Sequence, residues 1–215
     1  MNHPLATPVL AAVLVLATGG CTASPAGTGA ADAAPASRAG KAAPEAGDAF
    51  AEPGHGIAVR PVAGTHLAHD FKRSYLALDA WKLYPAPDSR GTPLVAVVVD
   101  GSNAVTSAEM RIGRSDHAAD VAACLTPSDE ASGPGDTVAI GGVPFTHFKA
   151  ADAAMSHYLS ADSYRAVHAG ACYAIDLIVS GTRPEVYDPP RTPPFSQDAA
   201  RGTLAKALAA VHWQR

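Results

Sequence analysis

Three cysteines are the residues of this chain with the most varied chemistry, and they lie far apart at Cys21, Cys124 and Cys172. A thiolate can act as a nucleophile or as a metal ligand, and two thiols can form a disulfide. Catalysis requires a low thiol pKa, which a neighbouring base or a helix N-terminus supplies. Cys172 falls in the middle of a predicted hairpin strand, and Cys124 falls near the end of a predicted helix. Neither position favours a catalytic thiol.

The histidines offer a second possible chemistry in the segment "HLAHD", which places His66 and His69 three residues apart and next to Asp70. On a helix, this spacing would allow both rings to bind one metal ion. Pro61 and Gly64 precede the pair, however, and no helical periodicity surrounds it, so solvated surface histidines are the expected outcome. The alternative is a small exported hydrolase or metal-dependent enzyme that uses His66 and His69.

Serine chemistry is represented by "GRSDH", in which Ser115, Asp116 and His117 are consecutive. Three neighbours on a chain do not converge into a catalytic triad. The motifs G-x-S-x-G, H-E-x-x-H and C-x-x-C are absent from the sequence. The pair Gly141-Gly142 joins two predicted strands and does not open a helix, so it is not a phosphate-binding loop. No catalytic residue, metal site or cofactor is therefore predicted.

The N-terminus contains a ten-residue apolar run, "PVLAAVLVLA", at residues 8–17. It is too short to cross a bilayer, which takes about 20 helical residues, and it is typical of a secretory signal. Gly19 and Gly20, directly before Cys21, resemble the lipobox of bacterial lipoproteins. The resemblance implies that Cys21 is diacylated and becomes the first residue of the mature protein. The alternative is an ordinary signal that is cleaved near Ala23, which would discard Cys21.

Residues 22–54 have the composition of a disordered tether. Only seven of these 33 residues are not Ala, Pro, Gly, Ser or Thr, and Phe50 is the one aromatic residue. Such a segment cannot bury enough apolar area to offset the loss of chain entropy. As a flexible coil it would hold a domain about 30 Å from its anchor. The predicted organisation is a signal peptide at 1–20, a lipidated cysteine and tether at 21–54, and a single folded domain at 55–215.

The folded part is dominated by predicted strands, at residues 81–84, 94–99 and 108–113 and in two hairpins at 137–149 and 164–179. Gly141-Gly142 and Ala169-Gly170 supply the hairpin turns. A polar loop is predicted at 150–162 and an irregular, proline-rich segment at 181–195. One helix is predicted to begin at Ser115 and end near residue 125, and another to begin at Ser196. Because both faces of strand 172–179 carry apolar residues, the expected fold class is α+β, a mostly antiparallel sheet with helices on both faces in a three-layer α/β/α sandwich.

The order of these elements resembles that of uncharacterised bacterial envelope lipoproteins and, more loosely, the PsbP-like sandwich. The resemblance covers residues 70–213, through "GVPF", "YRAVHAGACYAIDLIVSG", a "YDPP" loop and a closing amphipathic helix. The residues that carry it are Gly142, Phe145, Tyr164, Cys172, Tyr173 and Tyr187. It implies the three-layer fold. Members of the sandwich class serve as accessory and binding subunits, and no site residue is transferred from them.

Cys124 and Cys172 remain once Cys21 is assigned to the lipid, and an even number of thiols in an exported domain usually pairs. A disulfide between them is therefore predicted, with two buried free thiols as the alternative. Asp176 lies within an apolar strand and needs a partner, for which Arg165 on the adjacent strand is the natural choice. The long loop at 181–195 displays Arg183, Tyr187 and Arg191. It is either an interaction surface or a plain connector.

These observations predict a non-catalytic binding or accessory domain that faces the periplasm and is held to a membrane of the bacterial cell envelope by an N-terminal lipid. A small ligand or another envelope protein is the expected partner. The net charge of −4 does not favour binding to nucleic acid.

Overall fold

The computed structural model describes residues 49–52, 54, 56–69, 71, 80–132 and 135–214. The predicted signal peptide, Cys21 and most of the predicted tether lie outside the described residues. Eleven strands and two α-helices are found within them. The strands are β1 Phe50–Ala51, β2 Ile57–Val59, β3 Thr65–Ala68, β4 Thr92–Val99, β5 Thr106–Ser115, β6 Ala131–Ser132, β7 Thr137–Ile140, β8 Val143–Ala154, β9 His157–His168, β10 Ala171–Thr182 and β11 His212–Trp213, and the helices are α1 Ala118–Ala122 and α2 Gln197–Ala209.

An eight-stranded sheet forms the centre of the fold, with strands in the order β3-β4-β5-β10-β9-β8-β6 and with β7 paired to β8. Every pair of neighbours is antiparallel. A second sheet, in the order β1-β2-β11, brings the start and the end of the described chain together. Phe50 and Ala51, which the sequence assigns to the tether, are therefore already paired with β2.

Two-residue turns set the register of the three hairpins in the second half of the chain. Both residues of each turn have positive φ, at Gly141-Gly142, Met155-Ser156 and Ala169-Gly170. Turns of this kind match the right-handed twist of the strands that they join. The turns at Gly141-Gly142 and Ala169-Gly170 are those predicted from the sequence. The turn at Met155-Ser156 shows that the predicted polar loop at 150–162 is wrong, because β8 and β9 continue through it.

The end of β8 was not predicted from the sequence because it consists mostly of alanine. Residues 150–154 contain four alanines and one aspartate, a composition without apolar alternation. A strand pair is held by its backbone hydrogen bonds, and Ala150 to Ala154 pair residue by residue with β9. The side chains of this stretch therefore carry no strand signal, although its backbone hydrogen bonds to β9 are complete.

One face of the large sheet packs against α2 and forms the main core. Tyr173, Ile175, Leu177 and Val179 of β10 point to this face. From α2, the buried side chains are Ala200, Leu204 and Ala207. Ser196 caps the helix, since its hydroxyl accepts a hydrogen bond from the backbone N–H of Ala199 at 3.1 Å. The predicted closing helix and its cap are confirmed.

The opposite face is not covered by a second helical layer, so the expected three-layer α/β/α sandwich is wrong. The fold is mostly antiparallel β-sheet, and α1 is only five residues long. Residues 81–84, predicted as a strand, form an irregular segment that lies over this face instead. Ser115 does not cap a helix, because it ends β5 and its hydroxyl donates to the Arg90 carbonyl oxygen. His117 takes the N-cap position, and no side chain caps the helix there.

Candidate functional site

The main candidate site is a groove between α2 and strands β8 and β9, with a volume of about 620 Å³. Its floor is apolar and consists of Leu177 and Val179 from β10 together with Leu204 and Leu208 from α2. Volumes of about 300–1,000 Å³ with largely apolar walls are typical of sites for small organic ligands. We call this site the helix groove.

The helix groove exists because α2 covers only part of the sheet. The helix packs mainly against β4, β5 and β10, and it reaches β9 through a hydrogen bond from Nη2 of Arg201 to the hydroxyl of Ser160 at 3.2 Å. Where the sheet extends past the helix, the side chains are short, and Ala151 of β8 and Ala205 of α2 line the opening. Space that larger residues would fill is left open to solvent.

Polar side chains surround the opening of the groove. Lys149 and Asp162 are cross-strand neighbours on β8 and β9, and Arg201 of α2 lies across from them. The Asp162 carboxylate lies 2.8 Å from Nε2 of His147, whose ring stacks on Tyr164 at 4.7 Å. Burial and the nearby charge of Asp162 raise the pKa of the Tyr164 phenol. The phenol therefore remains a neutral hydrogen-bonding group in the wall.

Sequence reasoning missed the helix groove. Its residues come from several strands and one helix, and none of them belongs to the catalytic or metal-binding motifs considered above. The available signal was the alternation of Ser160, Asp162 and Tyr164, which places three polar groups on the same face of β9 that α2 leaves uncovered. Without the position of α2, this alternation is indistinguishable from an ordinary solvated strand face.

A buried charge pair occupies the other face of the sheet. Nη1 of Arg165 donates to Oδ1 of Asp176 at 2.8 Å, which confirms the predicted pair. The same carboxylate accepts a hydrogen bond from the hydroxyl of Ser163 at 2.6 Å and another from the backbone N–H of Leu83 at 2.8 Å. Asp176 thus connects β9 and β10 to the irregular segment above them. These contacts give it a structural role.

The predicted disulfide between Cys124 and Cys172 is confirmed, with an S–S distance of 2.05 Å. Both cysteines are fully buried, and Trp81 and Ala174 pack around them. The bond attaches the segment after α1 to β10. A thiol that is held in a disulfide does not serve as a nucleophile. Cys21 lies outside the described residues, and its lipidation remains a prediction.

The "GRSDH" segment forms a cluster around a carboxylate that belongs to α1. Asp120 accepts hydrogen bonds from the hydroxyl of Ser89 at 2.5 Å and from the backbone N–H of Arg90 at 2.8 Å. The Ser115 hydroxyl, which donates mainly to the Arg90 carbonyl oxygen, makes a longer contact with the same carboxylate at 3.3 Å. Nδ1 of His117 lies 3.4 Å from the same carboxylate. Both hydroxyls therefore contact the carboxylate and not the imidazole. A serine nucleophile needs the imidazole as its base, so this cluster lacks the geometry of a triad.

The Asp120 carboxyl has a net pKa below its ordinary value. Burial acts to raise the pKa, but the hydrogen bonds from Ser89 and Arg90, the charge of Lys82 and the hydrogen bond from Ser115 lower it by more in total. The ionised form of Asp120 therefore holds this corner together.

The histidines His66 and His69 lie at an edge strand and not on a helix. His66 belongs to β3, and its Nδ1 lies 2.7 Å from the carboxylate of Asp100 on an exposed surface. His69 follows the strand, and the centre of its ring lies 6.3 Å from the centre of the Phe50 ring. Among the described residues, no group of three or more potential metal ligands is found.

The loop residues Arg183, Tyr187 and Arg191 are brought together only in part. The guanidinium of Arg191 stacks on the ring of Tyr187 at 4.3 Å. Arg183 lies at the start of a short 3₁₀ turn, Pro184–Val186, and is exposed. The loop thus presents a stacked cation and a separate exposed cation, without a cavity that joins all three.

Comparison with known proteins leaves the family open, because no family model and no curated protein matches the chain. Among solved structures, the chain is similar to the one described as the crystal structure of LpqN, involved in cell envelope biogenesis of Mycobacterium tuberculosis. The identity is 11%, the match covers 81% of this chain and 88% of that chain, and the TM-score is 0.41. A likeness this weak carries no inference about function. No helix in the described part of the chain has both the length and the apolar character that a membrane crossing requires.

Proposed function

We propose that this protein is a lipid-anchored domain of the bacterial cell envelope that binds one small amphipathic molecule in the helix groove. The helix groove is the observation that carries the proposal. The helix groove has a volume of about 620 Å³, an apolar floor and an opening to solvent, so a hydrocarbon chain can bind there and be removed from water.

The groove determines which part of the ligand lies where. Leu177, Val179, Leu204 and Leu208 contact the apolar part, since they form the floor. The opening has cations at Lys149 and Arg201 and anions at Asp162 and Glu130, so its formal charges cancel. A polar head group without net charge fits this rim better than a strongly anionic or cationic head, because a charged head would meet two like charges there.

The envelope location is supported by the N-terminal sequence and by the disulfide. Residues 8–21 have the apolar run, the small residues and the cysteine of a lipoprotein signal. The Cys124–Cys172 disulfide is of the kind that persists in an oxidising compartment. An exported domain that binds amphipathic molecules has a use for an anchor, since such molecules are concentrated at membranes.

Ligand binding is tested with dodecylphosphocholine, a zwitterionic single-chain probe, below its critical micelle concentration. We expect saturable binding by isothermal titration calorimetry and a reduction of at least tenfold in the Ala205→Trp variant, whose indole would occupy the groove from the exposed side of α2. Ala209→Trp is the matched control, because Ala209 is exposed on the same helix and does not line the groove. Equal affinity in the two variants would overturn the assignment of the groove.

Anchoring is tested independently by expression of the full chain in a bacterial host. Mass spectrometry of the membrane fraction should show a diacylated N-terminal Cys21, and Cys21→Ser should release the protein into the soluble fraction. An N-terminus near Ala23 without lipid would contradict the anchor and leave the groove proposal unaffected.

A further inference from the structure

A second cavity of about 410 Å³ lies on the sheet face opposite the helix groove, under the irregular segment that follows Trp81. Arg165 and Ser163 of β9 form its base, Lys82 forms one side, and Phe148 and Pro85 supply apolar wall. We call it the cation cavity. Its two basic side chains, Lys82 and Arg165, lie beside the aromatic ring of Phe148.

Arg165 has hydrogen-bonding capacity that the protein does not use. The side chain is nine-tenths buried, and its hydrogen bonds run from Nη1 to Asp176 and to the carbonyl oxygen of Tyr164. No described residue accepts a hydrogen bond from Nε or Nη2. A guanidinium has five N–H donors, so donors remain available at the base of the cavity.

Lys82 is the second cation, and it has no ion pair within the described residues. Its ammonium lies 5.0 Å from the centre of the Trp81 ring. This cation–π contact stabilises the charge less than an ion pair with a carboxylate would. Burial lowers the pKa of Lys82, and the charge of Arg165 lowers it further, against the opposing charges of Asp120 and Asp176. Two basic groups thus face one cavity. Arg165 is paired with Asp176, whereas Lys82 has no ion pair among the described residues.

We propose that the cation cavity binds the carboxylate of a small monoanionic ligand between Lys82 and Arg165, with the apolar part of that ligand against Phe148. A carboxylate accepts hydrogen bonds from the ammonium of Lys82 and from the unused N–H groups of Arg165, and it supplies a counter-charge to Lys82. Asp129 and Glu130 are exposed at the mouth of the cavity. They disfavour the entry of a dianion, so a carboxylate is bound in preference to a phosphate monoester.

The proposal is tested by calorimetric titration with benzoate, phenyl phosphate and the neutral analogue benzyl alcohol. Benzoate should bind most tightly, and Lys82→Gln should weaken its binding by about tenfold or more, since a hydrogen bond to a charged group is lost. Lys149→Gln is the matched control, because Lys149 lies at the helix groove and not at the cation cavity. Urea unfolding of each variant verifies that the fold is intact.

A second readout uses the proton that Lys82 takes up. When a carboxylate binds, the pKa of the ammonium should rise, so benzoate binding near pH 9 should be accompanied by proton uptake, seen as a binding enthalpy that depends on the buffer. Lys82→Gln should abolish this dependence, while Lys149→Gln should retain it. The proposal is overturned if benzyl alcohol binds as tightly as benzoate, if phenyl phosphate binds more tightly, or if Lys82→Gln changes neither affinity nor proton uptake.

Discussion

The disulfide between Cys124 and Cys172 should contribute about 4 kcal/mol to the free energy of unfolding. The sequence separation of the two cysteines is 48 residues. Closing a loop of this length removes chain entropy from the unfolded state, which amounts to about 4 kcal/mol at 25 °C. For a domain of this size, the loss of 4 kcal/mol corresponds to a decrease in Tm of about 8–16 °C. The double variant Cys124→Ala/Cys172→Ala tests this value.

The loss of the disulfide should also lower the local stability of the segment around α1. The helix α1 has five residues, no side-chain N-cap and one buried side chain, Asp120. An isolated helix this short has little stability of its own. The bond to β10 therefore holds the segment at 118–126, part of which lines the cation cavity.

Urea unfolding gives the global effect, and hydrogen–deuterium exchange gives the local one. We expect the double variant to lose about 4 kcal/mol and to exchange faster at residues 118–126, with protection of β9 and β10 retained under native conditions. Because both cysteines are fully buried, dithiothreitol should act on the wild type slowly until urea opens the fold. A loss below about 1 kcal/mol, or unchanged exchange at 118–126, would refute the reasoning.

Three further predictions concern other buried groups. Arg165→Met should destabilise the fold by about 3–5 kcal/mol in urea unfolding, because it leaves a buried carboxylate without its cation. The double variant Arg165→Met/Asp176→Leu should recover part of that loss, and no recovery would argue against the pair. Gly113→Ala should cost about 2 kcal/mol or more, because its Cβ would lie 1.8 Å from a backbone carbonyl oxygen, whereas Gly202→Ala in α2 has open space and should stabilise by about 1 kcal/mol. The folded-state pKa of Asp120 is lowered, so its contribution is present above the unfolded pKa of about 3.9 and is lost as the pH falls below it. Wild-type stability should therefore decrease more between pH 6 and pH 3 than that of Asp120→Asn, and parallel decreases would contradict the pKa shift.

The hairpins and the last helix were predictable because their signals are local. Gly141-Gly142 marks one turn and Ala169-Gly170 another, and Ser196 followed by helical periodicity marks α2. The pairing of Arg165 with Asp176 was also within reach, since a hairpin register and a buried charge together leave few choices of partner.

The layers were not predictable in the same way. Residues 115–125 contain helical spacing, but the hydroxyl of Ser115 bonds to the Arg90 carbonyl oxygen and ends β5 instead of starting a helix. That contact joins residues 25 positions apart, and local patterns do not report it. The helix groove and the cation cavity were missed for the same reason, because each is bounded by elements that are distant in sequence.

The small sheet has a practical consequence for how this molecule can be rebuilt. β1 and β11 flank β2 and both run antiparallel to it. The two ends of the described chain are therefore separated by two strand spacings, about 10 Å, across the small sheet and by about 13 Å along β2, which gives about 16 Å between them. A short linker could join Ala49 to Gln214, and the chain could be reopened at the exposed turn of Met155-Ser156. Such a circular permutant would keep the pairing within both sheets. It would move the chain ends to the tip of the β8–β9 hairpin, so that a segment attached there would have a different reach to either cavity.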